Sequence, residues 1–304
     1  MRHIHTNEYS TLEPKEVDMV ITSNGYEDRC SYISEKYKSL FIDSVKICLA
    51  FSKNNKLNNH FENLGYTIYK GHGDDDFFVE RILKQSSQGF CGRKIKLVVD
   101  YSSMTRVWYA SILRFFYNSA IDVEIFFVYS FSKFLPPPKT KSHNVHVRPL
   151  DGFSTFSIPD KPTALLIGLG YEPMKANGLT EFFDAETFIF YNDKSTGEEF
   201  SHSVENVNKE LIDATPIQNI FRYPIGNLSV TEKILNDLCR VLKEKYRIVI
   251  APTGPKPFTL LSLICSLRHK NIDVWRVSAG ENAEVMNREA NGNISILRIT
   301  IESK

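Results

Sequence analysis

Short apolar runs alternate with amphipathic stretches along this chain, and the alternation is regular enough to predict its elements. In the N-terminal part, Asp18-Met19-Val20-Ile21-Thr22 and residues 45–51, 66–69, 96–99 and 123–129 read as five strands. The fifth is apolar almost throughout, the mark of a strand covered on both faces. Apolar spacing predicts helices running to Tyr37, over 77–83, and from the 100–106 loop to about Tyr117. In the C-terminal part, 164–167, 187–190, 247–250 and 274–277 read as strands, with helices around 231–235 and from about Phe258. Residues 294–301 alternate apolar and polar positions and predict an edge strand of this second part. Strands alternating with helices predict an α/β fold with a mostly parallel sheet wrapped on both sides.

The two parts also echo each other residue by residue. Ile121-Asp122-Val123 recurs as Ile272-Asp273-Val274, an offset of 151. The same offset carries Lys96-Leu97-Val98-Val99 onto Arg247-Ile248-Val249-Ile250, and Ser111-Ile112-Leu113 onto Ser262-Leu263-Ile264. Gly25-Tyr26-Glu27 returns as Gly170-Tyr171-Glu172 at an offset of 145, and 79–83 as 231–235 at 152. Small drifts in offset mean insertions in loops, where they are tolerated. The expectation is two tandem Rossmann-like units related by internal duplication about a pseudo-two-fold axis. Their boundaries fall at 1–135 and 162–304. A linker at 136–161 contains Pro136-Pro137-Pro138, with an edge strand near Val145-His146-Val147-Arg148.

Composition narrows the partners more than the chemistry. With 37 basic and 36 acidic residues in 304, net charge is +1, so no basic footprint for duplex DNA and no polybasic membrane segment is expected. The start, Met1-Arg2-His3-Ile4-His5, lacks the apolar core of a signal peptide, and no apolar run is long enough to span a membrane. Five cysteines without CxxC spacing read as reduced thiols of a cytoplasmic protein.

Ligands of open parallel sheets bind beyond the carboxyl ends of the strands. The loops after strand one and strand four are therefore the candidate site. The strand-one loops hold Gly25-Tyr26-Glu27-Asp28-Arg29 and Gly168-Leu169-Gly170-Tyr171-Glu172-Pro173. Glycine allows backbone amides to approach a ligand, and each tyrosine can stack on a base. The strand-four loops are Asp100-Tyr101-Ser102-Ser103-Met104-Thr105-Arg106 and Ala251-Pro252-Thr253-Gly254-Pro255-Lys256-Pro257. Hydroxyls of Ser102, Ser103, Thr105 and Thr253 and the amide of Gly254 can donate to phosphate oxygens, while Arg106 and Lys256 supply charge. The plainer reading is a capped helix followed by a solvated cation. Asp100 opposite Ala251, and Thr105 opposite Lys256, say that the halves have diverged.

These loops carry a resemblance. Asp100-x-Ser102-x3-Arg106 and Thr253-Gly254-x-Lys256, each after a fourth strand, resemble the motif of CRISPR-associated Rossmann-fold (CARF) domains, with Gly170-Tyr171-Glu172 as partner for that family's first ligand loop. The related SAVED domains resemble two such units fused in one chain. The resemblance implies recognition of a cyclic or linear oligonucleotide second messenger in prokaryotic antiviral defence. Both families usually carry an attached effector, for which this chain has no room. The resemblance therefore implies a separate effector protein, or a chain that degrades its own messenger.

Other chemistry is weaker. Proline at 173 breaks the dinucleotide-binding glycine fingerprint, and Gly254-Pro255-Lys256 lacks the remainder of a P-loop. Asp74-Asp75-Asp76 and His143-x2-His146 are candidate metal ligands, and His72 a candidate acid–base group. Acidic residues opening a helix are favoured by its dipole in any case. No cofactor and no metal is expected. The leading expectation is a nucleotide sensor. A metal-independent phosphodiesterase of the ring-nuclease kind, or an interaction subunit of a defence complex, stands beside it, so whether the chain is an enzyme stays open.

Overall fold

The structure is a computed structural model that describes residues 2–52, 56–73, 75–90, 92–136, 146–155, 160–269, 271–278 and 286–303. The first elements are strands β1 (His3–Tyr9) and β2 (Met19–Asn24), helix α1 (Tyr32–Lys36), β3 (Val45–Phe51), α2 (Asn58–Asn63) and β4 (Thr67–Gly71). Next come α3 (Asp76–Ser87), β5 (Ile95–Asp100), α4 (Arg106–Asn118), β6 (Val123–Ser132) and β7 (His146–Pro149). Then follow β8 (Thr163–Gly168), α5 (Pro173–Phe183), β9 (Glu186–Asn192), α6 (Glu198–Val207), α7 (Lys209–Ala214) and β10 (Ile220–Tyr223). The last are α8 (Leu228–Leu242), β11 (Arg247–Pro252), α9 (Lys256–Arg268), β12 (Ile272–Ser278) and β13 (Ala290–Glu302). Two units result: Met1–Lys133 with Val285–Lys304, and Phe134–Glu284.

Each unit is an α/β sheet of Rossmann-like form. The first sheet runs β1-β13-β6-β5-β2-β3-β4 and the second β10-β9-β8-β11-β12-β7. Five strands in each are mutually parallel, and counted within each unit they lie in the order 3-2-1-4-5. That is the start of the doubly wound dinucleotide-fold order. Every residue of β2 is buried, as are the last five of β8 and of β11. Burial on both faces explains why these strands are apolar without alternation.

Alternate strand residues face different layers. Val20, Cys48, Val98, Phe126, Val128 and Ile296 pack with Ile33 of α1 and Phe61 of α2 in the first core. In the second, Leu165, Ile167, Ile189, Tyr191, Val249 and Ala251 pack with Ala176 and Leu179 of α5 and Val204 of α6. The helices that follow strand four are the most deeply buried. In α9 every residue from Pro257 to Cys265 is buried, and in α4 every residue from Val107 to Leu113. A helix apolar on all sides has to lie inside its domain.

The C-terminal strand corrects the expected domain boundary. Residues 294–301 do not edge the second sheet: β13 lies antiparallel between β6 and β1 in the first, pairing Ile294 with Ser130 through Ile301 with Val123. The reason is the free edge of β6, ten residues long and mostly buried, which would otherwise offer open backbone groups. Ile296, Leu297, Ile299 and Ile301 bury fully in filling it, each worth about 1.5–3 kcal/mol. The first unit is thus 1–133 plus the C-terminal segment, where the sequence reading had 1–135 alone. The strand expected near 145–148 is β7, antiparallel to β12 at the edge of the second sheet. Strands β1 and β10 and helices α2, α5, α6 and α7 were not anticipated.

The repeated Ile-Asp-Val triplet ends in different surroundings in the two units. Asp122 pairs with Arg2 at 2.7 Å and is 43% exposed. Asp273 is almost fully buried, accepting from Arg247 at 2.6 Å and from the Thr155 amide and hydroxyl at 2.8 and 3.1 Å. Losing Asp273 leaves the Thr155 amide and hydroxyl without their acceptor, at about 1–3 kcal/mol for each buried donor. Arg2, in contrast, keeps the carbonyls of Ser119, Ile121 and Ile301 when Asp122 is lost, so that pair contributes about 1 kcal/mol or less. In urea unfolding, Asp273→Ala is expected to lose the larger amount and Asp122→Ala no more than the smaller.

Candidate functional site

In both units strand one and strand four are parallel neighbours, β2 with β5 and β8 with β11. Their carboxyl ends therefore release two loops side by side, and the loops interlock. A Cβ on Gly25 would lie 2.7 Å from Ser103 Cβ, and one on Gly254 would collide with the Leu169 carbonyl. Only glycine permits either approach.

In the second unit the interlock is a set of hydrogen bonds onto one oxygen. The Gly168 carbonyl accepts from Thr253 N (2.9 Å), Gly254 N (2.8 Å) and Thr253 Oγ1 (2.7 Å). The Thr253 hydroxyl and Gly254 amide, expected to face a phosphate, are committed to joining the loops. Asn208, 3% exposed, donates to the Gly170 carbonyl at 2.9 Å and to Val204 O at 2.8 Å. Glu172 pairs with Lys175 at 2.6 Å, inside the first turn of α5. Tyr171 is half-buried, its ring parallel to Phe200 with centroids 6.4 Å apart.

The first unit uses its polar residues in a similar way. Arg29 is not an exposed cation but a buried tie, 2% exposed. It donates to Glu27 at 2.6 Å, to Ser130 O, and to Ser102 O at 3.4 Å, and its guanidinium lies 5.1 Å from the Tyr129 ring centroid. The Ser102 hydroxyl donates to Asp100 Oδ1 at 2.5 Å and accepts from Ser130 N at 2.8 Å. Thr105 Oγ1 donates to Gly73 O at 2.8 Å and caps α4 by accepting from Trp108 N at 3.3 Å. Of the hydroxyls assigned to a phosphate, Ser103 alone keeps an Oγ with no hydrogen-bond partner among the described residues. Burial and the charge of Asp100 push the nearby Cys30 thiol up to about 12, so it is no thiolate nucleophile at neutral pH.

Tyr26 differs from its neighbours: it is 44% exposed and begins a pile of rings. Its ring stacks on Phe51 (5.2 Å, 27°), and Phe51 stacks on the buried Trp108 (4.6 Å, 30°). Trp108 Nε1 donates to the carbonyl of His72, whose side chain is exposed.

A segment remote in sequence clasps the same strand-one loop. Asp28 N donates to Asn287 Oδ1 at 2.8 Å, Asn287 Nδ2 donates to Asp28 Oδ2 at 2.7 Å, and Arg29 N donates to Arg288 O at 3.1 Å. Arg288 lies 4.0 Å from Glu27, and Lys56 2.6 Å from Asp28. Phe51, Trp108, Asn208, Asn287 and Arg288 had no sequence signal as site residues. Lys175 alone had a hint, as a cation following the repeated Gly-Tyr-Glu.

Arg106 and Lys256 each open a thirteen-residue helix, and neither helix has an acidic residue in its first turn. Both side chains are half-buried. The positive end of a helix dipole repels such cations by about 0.3–1 kcal/mol and attracts an anion. Among the described residues no cluster of His, Cys, Asp or Glu is arranged to hold a metal. Asp75 instead caps α3, accepting from Phe78 N at 3.0 Å. Asp74 and His143 lie outside the described residues, and no helix among the described residues is long and apolar enough to cross a membrane.

No family model matches the chain, and no curated protein matches it. Among solved structures it is similar to one described as "GsuK channel bound to NAD", at 13% identity and a TM-score of 0.22. The match covers 90% of this chain and 63% of that one, so this chain spans less than two thirds of its length. A likeness that remote carries no argument about function.

The clasp on the strand-one loop depends on a charged Asp28. Its hydrogen bond from Lys56, and then that from Asn287, hold the Asp28 carboxyl below its ordinary value. A depressed folded value means the contribution is present above the unfolded pKa of ~3.9 and fades as pH falls through the lower folded value. Amide exchange at Asp28 and Arg29 is expected to quicken in that acid range, relative to the β2 amides. Asn287→Ala is expected to quicken it already at neutral pH. Unchanged protection in that variant means the clasp does not hold the loop.

Proposed function

We propose that this chain senses a nucleotide second messenger, a cyclic or linear oligonucleotide of prokaryotic antiviral defence, and hands the signal to a separate effector protein. The ligand lies at the carboxyl ends of the parallel strands, against the strand-one and strand-four loops. Within each unit the phosphate position is the amino end of the helix after strand four: α4 with Arg106 in the first unit, α9 with Lys256 in the second.

The observation that carries this reading is the reversed charge at those two helix starts. A cation in the first turn, and no acidic residue within that turn, adds to the positive end of the helix dipole in both units. An anion at such a helix start is favoured by the dipole and the side-chain charge together. Interlocked loops support the same reading, because a site fixed before binding loses little order when the ligand arrives. The hydroxyls of Ser102, Thr105 and Thr253 serve this site by holding loops in place, leaving ligand contact to the two cations and Tyr26.

The test is thermal unfolding against cyclic di-, tri-, tetra- and hexanucleotides, with NAD and ATP for comparison, followed by chromatography of each mixture. A ligand at 100 times its dissociation constant adds about 2.7 kcal/mol, a rise of a few degrees in a chain of this length. Lys256→Ala is expected to weaken that ligand by about 1.5–3 kcal/mol, the size of a hydrogen bond to a charged group. An intact ligand after binding supports a sensor, and a consumed one makes the chain a phosphodiesterase. No shift across the panel, or full affinity in a folded Lys256→Ala protein, overturns the proposal.

A further inference from the structure

We infer that the first unit holds one nucleobase of the ligand, stacked on the open face of Tyr26, and that the second unit holds none. This rests on the nucleotide reading above and assigns the base to one place: a flat aromatic ring in the first unit, carried by a sugar phosphate.

The two units make the same aromatic pile and finish it differently. Trp108 is the third residue of α4, and Phe258 the third residue of α9. Around Phe258 the rings of Tyr223 (5.1 Å, 21°) and Phe190 (5.2 Å, 39°) close the pile, and Tyr223 is only 1% exposed. Around Trp108 the pile runs through Phe51 to Tyr26 and there stops among the described residues, with Tyr26 44% exposed. Strand two ends in Phe51 in the first unit and in Asn192 in the second, so the middle ring is missing there. A nearly parallel ring that is 44% exposed is the kind of platform on which bases stack, whatever their sequence.

The platform is rigid, and it stands beside a phosphate-binding helix end. Trp108 is tied through its indole N–H to His72 O and through its amide to Thr105. The loop bearing Tyr26 is packed by Gly25 on Ser103 and clasped at Asp28 by Asn287. Phe51 and the Thr105 methyl both lie 2.9 Å from where a Gly73 Cβ would sit, so the middle ring and the residue before Arg106 share one corner. With Gly25 also packed on Ser103, Tyr26 and the start of α4 lie on neighbouring loops at the same end of the sheet.

Calorimetric titration with three probes, adenosine 5′-monophosphate, ribose 5-phosphate and adenosine, tests this at millimolar concentration. The base is expected to raise affinity about 5- to 150-fold over ribose 5-phosphate, the range for one base–aromatic stack. Tyr26→Ala is expected to remove that gain and leave ribose 5-phosphate binding unchanged, while Tyr26→Trp keeps it. Equal affinity for the monophosphate and ribose 5-phosphate, or a gain that survives in Tyr26→Ala, overturns the platform and leaves the phosphate reading standing. Adenosine binding that depends on Tyr26 but gains nothing from phosphate keeps the platform and sinks the anion site. Failure of all three probes to bind overturns both.

Discussion

A parallel sheet buried on both faces can meet solvent only at the ends of its strands, and the rest of this molecule follows from that constraint. Helices cover both layers in each unit, so a ligand has no sheet face to use. The chain leaves every parallel strand at the same end. Strands one and four lie at the centre of the order 3-2-1-4-5, where the crossovers part in opposite directions. Their loops are thereby pressed together, and the glycines and hydroxyls between them are used first to make that contact possible. What remains at that end is two helix starts and one exposed ring.

That order of priority explains which parts were legible in the sequence. Strands such as 96–99 and 123–129 were plain, because double burial demands an unbroken apolar run. The positions of Arg106 and Lys256 at helix starts were equally plain, since both follow a strand and precede a long apolar helix. The reading of Arg29 failed because burial is not encoded locally. A cation in a polar loop looks the same whether it faces water or, as here, a ring and three oxygens of its own unit. Thr253 misled for a related reason, as a hydroxyl near glycine suits a ligand and a carbonyl equally well, and Gly168 O was nearer.

The third strand of the second unit shows a different limit. Residues 220–223 form a four-residue strand with one fully buried position, too short for periodicity to register. The C-terminal strand was recognised as a strand but given to the wrong sheet. Its alternation specifies one buried face and says nothing about which edge it covers. Only the length and apolarity of β6, far earlier in the chain, make the choice.

Because β13 completes a sheet begun at the other end of the chain, the first unit cannot close while the protein is being made. Its five parallel strands leave the ribosome early, with the long edge of β6 unpaired and the clasp on the strand-one loop absent. The second unit is contiguous and is complete before the first. Synthesis therefore runs through a stage at which the later unit is finished and the earlier one waits with an adhesive flank. A chain that stops short of its last twenty residues would stay at that stage, prone to pair with its own copies.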